Sequence, residues 1–111
     1  MKTALLIVFY IDTYLFPPSH NWQSYYFMER SAARWAAFEI LDLILDCPDV
    51  SYHLLLEDQI KLYRDAAEST GDREKNFIFT TAEETAIDIL TMLEREKQHG
   101  QREAVKNSKE F

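Results

Sequence analysis

NFIFTTAEETAIDILTML, residues 76–93, is the stretch whose reading decides the fold class. Read in two pieces, Asn76–Thr80 is a short strand and a helix begins at Thr81, where Thr81-Ala-Glu-Glu84 has capping-box spacing. Glu83 and Glu84 then fall in a helix first turn, where the dipole favours acids. Read in one piece, the stretch is a single helix. Ile78, Phe79, Ala82, Ala86, Ile89, Leu90 and Leu93 share one stripe, and that stripe keeps its phase across Thr80. The unbroken phase favours the continuous helix, running on to about Gln98.

Working back toward the N-terminus, Ser69-Thr70-Gly71-Asp72 reads as a turn. Gly71 is the candidate left-handed C-cap, and Asp72 can cap the next element. A helix over about 52–68 precedes it, with Ser51 as N-cap and Leu55, Leu56, Gln59, Ile60, Tyr63 and Ala67 as its apolar stripe. Pro48 closes a longer helix spanning about 23–47. Its apolar face is Ala33, Ala36, Ala37, Ile40, Leu41, Leu43, Ile44 and Cys47, with alanines that let a neighbouring helix come close. Ser19 or Asn21, just after Pro17 and Pro18, is the candidate N-cap of that helix.

Residues 3–11 are apolar on every side, so periodicity does not separate strand from helix there. Their β-branched and aromatic content favours a strand. The expected fold is therefore mainly α: a small domain of about three helices with an apolar N-terminal segment, and α+β if that segment is a strand. Residues 1–98 read as one compact domain, and 99–111 as a polar tail, frayed or disordered.

The chain has 111 residues, which suits one domain with a core of its own. Its net charge of −7 opposes non-specific attraction to nucleic acid or anionic membranes and suits a partner with a basic surface. Arg30 and Arg34, one turn apart near Tyr26, are the only small basic-aromatic patch read from the sequence. Pairing with Glu29, or covering apolar surface with their stems, explains them as well. The single cysteine, Cys47, allows no intramolecular disulfide and reads as a small hydrophobe. The N-terminal apolar run lacks a small-residue cleavage site and is too short to span a bilayer. The expectation is a cytoplasmic protein.

Little in the chain points to catalysis. Two glycines, Gly71 and Gly100, cannot build a phosphate-cradling loop or a nucleophile elbow. Asp46, Asp49, His53 and Glu57 are the candidate metal ligands, since Asp49, His53 and Glu57 would align on one uninterrupted helix. Pro48 and the cap at Ser51 break that helix and place Asp49 in the connection. No metal or cofactor is expected, and neither is an enzyme.

A surface is left as the candidate site. Trp35, Glu39, Asp42 and Asp46 share a helix side, an aromatic anchor beside a charged rim. Asp42 and Asp46 lie in the last two turns, where the helix dipole disfavours acids. The functional expectation is a non-enzymatic protein-interaction module that presents an acidic face to a basic partner. Its concrete form is a small inhibitor, of the kind phages and mobile elements encode, blocking the basic nucleic-acid groove of a host defence nuclease. Two alternatives stand beside it: a self-associating scaffold protein, since the aromatic load is compatible with a homodimer, and a metal-dependent enzyme built on Asp49, His53 and Glu57.

Overall fold

The computed structural model describes residues 2–15 and 25–109. Four helices follow one another: α1 (Lys2–Tyr14), α2 (Tyr25–Asp46), α3 (Tyr52–Ser69) and α4 (Arg73–Lys109). The described residues contain no strand. The candidate caps Ser19 and Asn21, and the Pro17–Pro18 pair, lie outside the described residues.

The decisive stretch is helical throughout, as its unbroken stripe implies. Ala82, Ala86 and Ile89 are fully buried, and Leu93 nearly so. The helix does not start at Thr81. It starts at Arg73, where Asp72 Oδ1 accepts from the backbone N–H groups of Glu74 (2.9 Å) and Lys75 (3.2 Å). Thr81, expected as a cap in the two-piece reading, is instead a buried mid-helix residue. Its carbonyl accepts from Thr85 Oγ1 at 2.8 Å, which satisfies a hydroxyl that is itself buried. The backbone of α4 is helical as far as Lys109, so the predicted end near Gln98 falls inside a helix.

The N-terminal segment is a helix, against the strand its composition favoured. A strand at 3–11 needs a partner for its backbone groups, and the other segment read as a possible strand, 76–80, belongs to α4. As a helix, α1 satisfies its backbone internally and turns Ala4, Ile7, Ile11 and Leu15 inward at spacings of three and four.

The helices alternate in direction. Arg34 Nη1 donates to the Leu15 carbonyl (3.2 Å) where α1 ends, while Ala4 near its start lies by Ile44 and Leu45 of α2. Along α3 and α4, Asn76 meets Ala67, Arg64 meets Glu83 and His53 meets Glu94, so these two run antiparallel. All three other helices pack on α4, most closely α3 and α2. Small residues crowd the core between these helices: α2 contributes Ala33, Ala36 and Ala37 and α4 contributes Ala82 and Ala86, all buried, with Ile40 and Ile89. Close approach of the two helices follows from those side chains. Ile7 and Ile11 close the core from α1, Leu56 and Tyr63 from α3. Each fully buried Ile or Leu contributes roughly 1.5–3 kcal/mol by removal from water.

The turns are set by short-range contacts. Ser51 caps α3, its Oγ accepting from the His53 N–H at 3.3 Å. Pro48 follows directly on Cys47, the residue after α2, and Val50 N–H closes a turn on the Cys47 carbonyl (3.2 Å). At the far end, α3 ends at Thr70 in extended backbone with its N–H on the Ala66 carbonyl. Gly71, read as a left-handed cap, has no positive φ. The cap there comes from side chains instead: Thr70 Oγ1 accepts from Asp72 N–H (3.2 Å), and Asn76 Nδ2 donates to the Ala67 carbonyl (2.8 Å). The latter satisfies one of the orphan carbonyls in the last turn of α3.

Candidate protein-binding site

Helix α2 presents two flanks, identified by what they touch. Arg34 reaches α1, and its guanidinium also lies over the Phe38 ring at 5.4 Å. Trp35 lies on the other flank, toward α3 and α4: its ring centroid is 5.9 Å from that of Tyr63 and 6.3 Å from that of Phe79. Asp42 and Asp46 follow Trp35 at seven and eleven residues, on the same side of the helix, and both are exposed.

Trp35 remains 43 % exposed because it borders an open groove of about 690 Å³ between the start of α2 and the start of α4. Met28, Ala32, Trp35, Ile78 and Phe79 give the groove apolar walls, while Ser31, Glu74 and Lys75 bring polar groups to its edge. Small side chains at 31 and 32 opposite larger ones at 78 and 79 leave this gap. The volume lies within the usual range for a site that accepts a large side chain or a small ligand.

The sequence grouped Glu39 with the acidic surface. In the fold Glu39 is partly buried and belongs to the α2–α3 contact, where its Oε1 accepts from Gln59 Nε2 at 2.9 Å and from the Tyr63 hydroxyl at 2.8 Å. Burial, above all, holds the Tyr63 phenol far above its ordinary range, so it stays protonated and a donor. Of the four residues, three therefore share an outward side: Trp35, Asp42 and Asp46. No basic residue occupies the last turn of α2 to offset the two aspartates.

His53, considered as a ligand, is bound up with carboxylates. Its Nε2 is 2.7 Å from Glu57 Oε1 and its Nδ1 is 2.8 Å from Glu94 Oε1. The hydrogen bond to Glu94 raises its pKa, with Glu57 adding to the effect, and the same bond lowers that of Glu94. The Tyr52 hydroxyl is enclosed next to Glu94 without a well-formed hydrogen bond among the described residues. Burial and then that carboxylate push its pKa up. Asp49 lies in the α2–α3 connection. Among the described residues no group of three or more His, Cys, Asp and Glu side chains is placed to hold a metal ion.

The two arginines of the basic-aromatic patch face α1. Arg34 makes the contacts given above, and Arg30 borders a cleft between α1 and α4 with Tyr10, Tyr14, Asp88, Arg95 and Glu96. Both signs of charge meet in that cleft, which selects no single ligand class. Among the described residues, no helix is long and apolar enough to cross a membrane.

Sequence reasoning found Trp35 and missed Met28, Ile78 and Phe79 as walls of the groove. Ile78 and Phe79 carry the same stripe signal as the buried residues of α4, so periodicity alone assigned them to the core. No family model matches the chain, and neither do the curated proteins or the solved structures. Function has to be sought in the site itself, in the geometry and charge of this surface.

Proposed function

We propose that this chain is a small acidic protein-binding module that docks a basic partner surface onto the outward side of α2. A large apolar side chain of the partner enters the groove at Trp35, and Lys or Arg residues beside it meet Asp42 and Asp46. The observation that carries this reading is the half-exposed Trp35 at an apolar groove, in line with two unoffset aspartates on one helix. The two acids oppose the dipole of α2, and a partner's cations would relieve that cost.

In its most specific form the partner surface is the basic nucleic-acid groove of a host defence nuclease, and the chain is an inhibitor of the kind phages and mobile elements encode. Size, acidity and the want of a catalytic constellation motivate that form.

The test reverses both charges, Asp42→Lys with Asp46→Lys, and compares affinity capture by the two proteins from the native host. The expected result is a captured protein that the double variant fails to retain. The variant itself should be as stable as the parent or about 0.3–1 kcal/mol more so per site, because Lys suits a helix C-terminus. Short duplex DNA should displace the captured protein if its bound surface is a nucleic-acid groove. Capture that survives charge reversal, or a variant that loses stability, would refute the reading.

A further inference from the structure

The outer face of α1 is apolar and uncovered. Leu5 is 69 % exposed, Phe9 63 % and Val8 40 %, in a helix whose opposite face is already packed in the core. Beside them on the α1 flank of α2 stand Phe38, 44 % exposed, and Leu45, 50 % exposed. A helix apolar on all sides is normally covered on all sides. These five side chains leave on the order of 500 Å² of apolar surface open, as large as the biggest patch of a typical monomer. A standard interface hides about 800 Å² per partner, a little over half of it apolar. The patch is therefore of the size one face of a stable dimer needs.

The order of residues along the stripe identifies what covers it. Lys2, Leu5, Phe9 and Asp12 occupy the exposed side of α1 at successive spacings of three, four and three. The series is symmetric about Ile7. When two such helices lie antiparallel across a two-fold axis at that point, Leu5 of each meets Phe9 of the other, and Lys2 of each meets Asp12 of the other. Lys2 and Asp12 are the two charged residues of the 13-residue helix, and among the described residues neither has an ion-pair partner. One stripe thus supplies both halves of its own complement, as an isologous interface requires.

We propose that this protein is a two-fold homodimer whose interface is the outer face of α1, paired antiparallel with its copy and flanked by Phe38 and Leu45 of α2. Asp46 lies toward Trp35, while Asp42, one turn from Phe38 and three residues before Leu45, shares their stripe and borders the interface. None of the five residues lines the Trp35 groove, so the pairing and the filling of that groove are tested by different substitutions.

Sedimentation equilibrium from about 1 to about 500 µM tests it. The expected species has twice the chain mass of 13.1 kDa. Phe9→Ala, which acts twice across the axis, should weaken the dimer on the order of 100-fold while circular dichroism shows unchanged helix content. Lys2→Glu and Asp12→Lys should each weaken it about tenfold, because each places like charges together at two symmetric positions. The combined Lys2→Glu/Asp12→Lys chain restores the pairs with signs exchanged and should regain most of the parent affinity. A parent that stays monomeric throughout, or a dimer indifferent to Phe9→Ala, would overturn the proposal. So would a combined variant in which the two charge losses add instead of cancelling. Should Phe9→Ala unfold the chain, the charge exchange at exposed positions still decides the question.

Discussion

Replacing Glu39 by Ala tests whether this carboxylate holds the fold or faces a partner. Its Oε1 is the acceptor for two donors on α3, Gln59 Nε2 at 2.9 Å and the Tyr63 hydroxyl at 2.8 Å. Both donors belong to buried residues. A hydrogen bond to a charged group contributes roughly 1.5–3 kcal/mol, and a donor left buried and unpaired costs about 1–3 kcal/mol. Water can reach the partly buried Glu39 position and recover some of this, so the expected loss is about 3 kcal/mol rather than the sum of the extremes. That is a large part of the 5–15 kcal/mol typical of a domain. For a chain of this length it corresponds to a fall in Tm of about 12 °C. Glu39→Gln keeps a carbonyl acceptor and gives up the charge, for an expected loss of about 1 kcal/mol. Urea unfolding followed by circular dichroism measures both. Tyr63→Phe completes a double-mutant cycle, and the combined variant should lose at least about 1 kcal/mol less than the two single losses added together. A loss under about 1 kcal/mol for Glu39→Ala, or additivity within about 0.5 kcal/mol, would refute the assignment of Glu39 to the α2–α3 contact.

Two further outcomes follow from the ends of the helices. The folded-state pKa of His53 is raised by Glu94 and Glu57, so its contribution is full below the unfolded value near 6.5 and fades as pH rises through the folded one. Glu94 is lowered by His53, so its share is full above the unfolded value near 4.5 and is lost as pH falls through the folded one. The Tm difference between the parent and His53→Gln should therefore be greatest at about pH 5–6 and shrink on both sides; a difference that grows toward pH 9 contradicts the pairing. Gly71 has no positive φ and open space where a Cβ would go, so Gly71→Ala should be neutral or stabilising by up to about 1 kcal/mol in the same urea assay. A left-handed cap at that position would instead make the substitution destabilising.

Local signals carried most of the fold. The constant phase from Ile78 to Leu93 identified the continuous helix, and Ser51, Pro48 and Asp72 marked ends within one or two residues, because caps and breakers act over a few positions. The N-terminal helix was not legible, since a segment apolar on both faces has no period to read. Its exposed face shows why: Leu5 and Phe9 look like core in sequence and stand in solvent in the monomer. The site was half legible. Helical spacing put Trp35, Asp42 and Asp46 on one exposed side of α2, where the fold also has them. It could not separate Glu39 from them, because that depends on Tyr63, 24 residues away. Nor could it join His53 to Glu94, 41 residues apart.

Chain order gives the long last helix a consequence for synthesis. The seam that closes the core is supplied by Ala82, Ala86, Ile89 and Leu93, all downstream of the α3–α4 turn. A nascent chain that has produced α1, α2 and α3 still lacks the surface on which all three settle. At about 5–20 residues per second, the missing stretch takes a few seconds more to appear. Through that interval α1 can meet α2, but the face of α2 that packs on α4 has nothing to cover it. Translation makes α4 after the three helices that pack on it, so the surface that joins them becomes available only once α4 has left the ribosome.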